Sequence, residues 1–175
     1  MLKKAVFCAV IFSFFLYAPT QPATAAQSLF DLELQLVSVT PVFLSGQEGN
    51  MAMVEGFTGD LQVYFNDELI GSVTLTAILQ SPPMQFTTTY DAFLVEGELS
   101  LTGIGALQMR GAGIAMGEAS VQPPLGDVIM TFSVRAYNGT DAFTGWYGVG
   151  GGTGAVNVFT GQGVIPFTLG LQPGL

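Results

Sequence analysis

Apolar residues recur at every second position over most of this chain, and no window holds a sustained stripe at the 3.6-residue period of a helix. Such a pattern folds only as strands with one dry face and one wet face. In "FDLELQLVSV", Phe30, Leu32, Leu34 and Leu36 face one way while Asp31, Glu33 and Gln35 face the other. "DLQVYFNDELIGSVTLTAIL" divides into two strands joined near Asn66-Asp67, with Val73, Leu75, Ala77 and Leu79 sharing a face of the second. Phe93, Val95, Leu99 and Leu101 alternate with Glu96, Glu98, Ser100 and Thr102. Met130, Phe132, Val134 and Ala136 alternate with Thr131, Ser133, Arg135 and Tyr137. "AVNVFTGQGVIPFTLGL" closes the chain, and "SGQEGN", "SPPM", "QPPLGD" and "YNGTD" supply turn chemistry between the runs. About eight strands at these spacings predict a single-domain, all-β, antiparallel eight-stranded barrel, with a β-sandwich as the alternative.

The stretch "GWYGVGGGTGAVNVFTGQGVI", Gly145 to Ile165, has two readings: a phosphate-cradling loop or the hinge of a hairpin. A dinucleotide loop needs G-x-G-x-x-G opening a helix, because the pyrophosphate sits on the helix N-terminus. No window here has that spacing, and Ala155 to Thr160 alternates like a strand. A phosphate loop of the other common kind needs a lysine, and the only lysines are Lys3 and Lys4. The glycines are therefore expected at a hairpin hinge, barrel corner or bulge, where positive φ and close backbone approach are required. "GIGALQMRGAG" and "GTGAVNVFTGQG" echo one another, which reads as recurrent turn chemistry rather than duplication.

"GGGTGAVNVFTGQG" also resembles the G-G-T-G signature near the C-terminal end of the dirigent and allene-oxide-cyclase barrel families. Gly151, Gly152, Thr153, Gly154 and Gly161 sit where that pattern places them, while Val156 stands where the family usually has Phe. The resemblance covers about 30 residues well. It implies an eight-stranded antiparallel barrel, trimeric in the plant members, whose interior holds an apolar small molecule. Cyclisation and guided coupling are the activities it implies. The families' functional residues lie outside the signature, so none is transferred to this chain.

The opening "MLKKAVFCAVIFSFFLYAPTQPATAAQ" has the form of an export signal. Lys3 and Lys4 precede an apolar run from Ala5 to Ala18, short of the roughly 20 residues that span a bilayer. "ATAAQ" offers cleavage after Ala25 or Ala26. The expected division is a signal peptide over residues 1–26 and one barrel domain over 27–175, secreted or periplasmic. Cleavage would remove both lysines and Cys8, leaving no Lys, Cys or His. Two arginines against thirteen carboxylates then give a formal charge of −11. A surface this acidic excludes nucleic acid as a partner and disfavours anionic lipid. Without a disulfide, a packed core must hold the fold, and about 149 residues suffice for one.

The same losses restrict chemistry. A Ser-His-Asp triad, a cysteine nucleophile, a Schiff base and a His-ligated zinc site each lack a required residue. No cofactor or metal is expected: "DAFLVEGE", "NDE" and "NGTD" supply oxygens without a calcium-loop spacing. "NGT" at Asn138 fits the glycosylation acceptor pattern. A cyclase or isomerase could work with a shaped cavity and one acid or base. The candidate groups are Arg135 and Tyr137 on one strand face, Arg110, and Glu96 with Glu98. Each has a second reading as part of a solvated face, because alternating polar residues usually point outward. Trp146 and Tyr147 would cap a cavity or plug the end of the core.

Two functions follow. One is an exported barrel that binds an apolar small molecule, with a cyclase or isomerase activity added. The other is a non-catalytic structural or surface-associated barrel filled solidly by Phe, Leu and Met.

Overall fold

The computed structural model describes residues 28–50, 53–80, 90–117, 128–157 and 160–174. Eight strands form one closed antiparallel barrel in chain order: β1 (Ser28–Phe43), β2 (Val54–Phe65), β3 (Glu68–Leu79), β4 (Tyr90–Leu101), β5 (Gly105–Gly117), β6 (Val128–Tyr137), β7 (Trp146–Asn157) and β8 (Gln162–Pro173). The barrel, not the sandwich, is the fold. The signal peptide expected over residues 1–26 lies outside the described residues.

Closure falls to β1, the longest strand. Residues 28–35 pair with β8 and residues 33–43 pair with β2, so the two partners overlap over only three positions. This stagger is the shear that lets a sheet meet its own edge. A bulge at Val37, between Leu36 and Ser38, turns Val37 outward and reverses the facing of the strand beyond it.

The expected alternation is realised inside the barrel. Leu34, Val63, Val73, Phe93, Leu99, Leu107 and Leu169 are among the residues fully withdrawn from water, and no polar side chain is buried among the described residues. Asp31, Glu33, Asp60, Glu96 and Glu98 point out. This is the reverse of a membrane-spanning barrel, which is polar inside and apolar outside. No described helix is long and apolar enough to cross a membrane.

The hinge expected of the glycine stretch is corrected by the structure. Gly148, Gly150, Gly151, Gly152 and Gly154 all lie within β7, and none of them has positive φ. The hinge is further on, where Gly161 (φ 67°) precedes β8. What Gly148, Gly150, Gly152 and Gly154 supply is an empty inward face, while Gly151 lies on the outer face opposite Ser133. Phe132 and Phe167 both pair with Gly152, from either side, and their rings stack across it at 5.9 Å and 25°. A Cβ at Gly152 would lie 2.6 Å from the Pro166 carbonyl oxygen. Strand glycines of this kind mark close approach rather than a turn. The two echoing glycine segments differ in place: Gly103 and Gly105 sit at the turn into β5 with positive φ, whereas Gly152 and Gly154 are inside β7.

Connections differ between the two ends. At one end β2 and β3 are joined by Asn66 and Asp67, whose φ of 50° and 63° suit the tight hairpin turn favoured by strand twist. β4 and β5 are joined through Gly103. The β6–β7 connection carries a short 3-10 turn, Asp141–Phe143, whose Phe143 is buried under the barrel. Its backbone is tied to β5 by Thr140 N–H to the Ala106 carbonyl (2.9 Å) and by Ala106 N–H to Thr140 Oγ1 (3.0 Å). Trp146 packs half-buried against the core at this end, while Tyr147 is exposed. Trp146 therefore packs against the core at the hairpin end and lines neither of the pockets described below.

Candidate functional site

The opposite end holds the candidate site, an apolar cavity of about 90 Å³. All sixteen residues lining it are apolar or glycine. It exists because small residues occupy inward positions where the rest of the barrel carries large ones. Gly59 faces Leu75, Ala77 faces Phe57, and Ala115 faces Met130. Leu61, Val95, Phe132 and Ile165 form its fully buried floor, and half-buried Leu36, Val39, Val128 and Met130 lie nearer the mouth.

The ionisable candidates are elsewhere. Glu96, Arg110 and Arg135 occupy one register row across β4, β5 and β6, on the outer wall and exposed. Glu98 is exposed in the next row, opposite Thr74 and Gln108. Tyr137 faces Gln108 and is half-buried. None of the five lines the cavity. The structure brings Glu96, Arg110 and Arg135 together as neighbours, but on a solvated face. The signature glycines Gly151, Gly152 and Gly154, with Thr153, are strand residues of β7, and Gly161 is in the turn that follows. Thr153 Oγ1 lies 3.0 Å from Thr131 Oγ1 on the outer wall.

Two features escape the sequence reading. One is the position of the cavity, which is made by small residues scattered along the chain on inward faces, Gly59, Ala77 and Ala115. The other is Asp60, which accepts hydrogen bonds from Ser38 Oγ and Thr74 Oγ1, both at 2.8 Å, across three strands. The Ser38 and then the Thr74 hydroxyl hold its carboxyl below the ordinary aspartate value of 3.8. No spacing rule announces such a contact between distant segments.

A shallow groove of about 360 Å³ crosses the outer wall beside the β2–β3 turn, lined in part by Asp31, Glu33, Tyr64 and Asp67. Several of its polar groups are already engaged: Asp31 accepts from Thr168, Glu33 from Gln35, and Tyr64 donates to Gln62. No group of three or more metal-ligating side chains exists among the described residues.

No known protein family pattern and no curated protein matches this chain. Among solved structures it is similar to a nonspecific heme-binding cyclase that catalyses a 4+2 cycloaddition during neoabyssomicin biosynthesis, with a TM-score of 0.48 and 13% identity. The alignment covers 84% of this chain and 65% of that one, so this chain spans just under two thirds of that protein's length. The likeness assigns no role to any residue here.

Proposed function

We propose that this protein is an exported barrel that binds a small apolar group in the cavity at its long-loop end and performs no acid–base chemistry there. The observation that carries this reading is the lining itself, which among the described residues offers a dry surface and no donor, acceptor or ionisable side chain. A catalyst would need at least one such group aimed at the reacting atoms. Kinship with the dirigent and allene-oxide-cyclase barrels belongs to the same reading, and rests on the β7 signature together with the closed eight-stranded topology. Self-association belongs to it too, through adjacent exposed apolar residues Ile114, Met116 and Ile129 on β5 and β6. The trimer is the state the resemblance implies.

Size limits the affinity. A dry cavity of about 150 Å³ accepts benzene, so 90 Å³ takes less than a six-membered ring. At no more than about 1.5 kcal/mol per heavy atom, three or four buried atoms give dissociation constants no tighter than roughly 0.5 mM to 40 μM.

Methyl NMR of the chain from Gln27 onward, which keeps every strand, tests the reading with 1-butanol. Saturable shifts should be confined to methyls such as Ala77, Ala115, Val156 and Ile165. Ala115→Leu, which puts three carbons into the cavity, should abolish them while raising stability by about 0.5–1 kcal/mol. Shifts spread evenly over the barrel, or none that saturate, would leave the structural barrel as the function.

A further inference from the structure

The cavity differs sharply between its floor and its mouth, and that difference bears on what it can select. Phe132 forms part of the floor and stacks on Phe167, which is buried one step deeper. Both rings straddle Gly152. Phe93, also lining the cavity, reaches over Gly113, which faces Phe132 on its other side. A Cβ at Gly113 would lie 2.5 Å from Phe93 Cζ and 2.7 Å from Phe132 Cβ. The three aromatic rings thus alternate with two glycines across five adjacent strands, in the order Phe93, Gly113, Phe132, Gly152, Phe167. Each ring fills the space its neighbouring glycine leaves. Beneath them Leu34, Val63 and Val134 are fully buried, so the rings have nowhere to retreat.

The mouth is built from other material. Leu36, Val39, Val128 and Met130 are half-buried, and Met130 is unbranched and adapts its shape readily. A ligand can therefore widen the mouth, but it cannot deepen the floor.

We infer that Phe132, held by Phe93 and Phe167, is the residue that sets ligand length, and that the cavity takes the end of an unbranched alkyl chain. This rests on the binding reading above. A volume of about 90 Å³ holds roughly three methylene-sized groups, taking the ~30 Å³ share of a water molecule as the unit. A chain end enters such a space lengthwise, with its polar head left outside the apolar lining. A branched or cyclic group meets the floor before it is buried.

The test is a titration series of n-alkanols from methanol to octanol, followed by methyl NMR on the wild type, Phe132→Leu and Val95→Leu. In the wild type, affinity should rise about fourfold per added methylene until the chain meets the floor, then level off. Phe132→Leu should move that levelling point to longer chains. Val95→Leu, which adds a methylene to the floor, should move it to shorter ones and carries the test alone if Phe132→Leu does not fold. A levelling point that stays put while alkanols still bind would overturn the role of the floor and leave the binding reading intact. Absence of binding by every alkanol would remove the binding reading, and the length selection with it.

Discussion

The two ends of the barrel interior are walled by the same eight strands and filled in opposite ways. At the hairpin end, Leu34, Leu99, Leu107, Met109 and Leu171 are each no more than 2% exposed, and Phe143 and Trp146 close the bottom. At the long-loop end, Gly59, Ala77 and Ala115 leave a dry space of about 90 Å³. The same eight strands wall both ends, and the inward side chains differ in volume between them. Within one scaffold, packing density follows the choice of a few inward residues, and a binding space can be made by omission.

The largest effect should come from making the closed end resemble the open one. Leu107→Ala removes a fully buried side chain where nothing can collapse to fill the gap. It should cost about 2–5 kcal/mol in chemical denaturation, a much larger loss than Met130→Ala at the mouth. Equal losses at the two sites would erase the distinction between a filled and an unfilled end.

Next is the aromatic–glycine alternation that separates the ends. Gly113→Ala would place its Cβ against the Thr131 carbonyl oxygen and the Phe93 and Phe132 side chains. Overpacking of this kind should cost about 1–3 kcal/mol, or roughly 2–12 °C in melting temperature for a domain of this size. A neutral Gly113→Ala would mean that the rings can shift, and that the floor is soft.

The smallest effect concerns the wall around the cavity. Asp60 joins β1, β2 and β3 through Ser38 and Thr74, and its folded-state pKa is depressed. A depressed carboxylate contributes stability above its unfolded pKa near 3.8, and loses it as pH falls through the lower folded value. Asp60 is exposed, so the contribution should be under about 0.5 kcal/mol. Asp60→Asn should lower stability slightly at pH 7 and remove that part of the acid sensitivity below pH 3.8. An identical pH profile in the two proteins would show that the clamp contributes nothing.

Much of this fold is legible in the chain itself, because period-2 facing is a property of local sequence. The alternations at Phe30–Leu36, Val73–Leu79, Phe93–Leu101 and Met130–Ala136 all point inward as the pattern predicts, and Asn66-Asp67 is the turn. Glycine is harder to place. A glycine run is compatible with a hinge or with a strand that neighbouring rings cross, and only the register of β6 and β8 against β7 distinguishes them. The cavity is harder still, since Gly59, Ala77 and Ala115 are far apart in sequence and meet only after closure. The outward placement of Glu96, Arg110 and Arg135 follows from the same alternation that sets Val95, Met109 and Val134 inside.

The central claim is that one end of this barrel is a dry, unfilled apolar space and the other is full. Xenon binding, followed by ¹²⁹Xe NMR and by methyl shifts, tests it directly, because xenon enters apolar cavities without needing any polar partner. The account predicts one saturable site beside Val95, Phe132 and Ile165, lost in Ala115→Leu. No saturable site, or one that survives Ala115→Leu or lies beside Leu99 and Leu107, would contradict it.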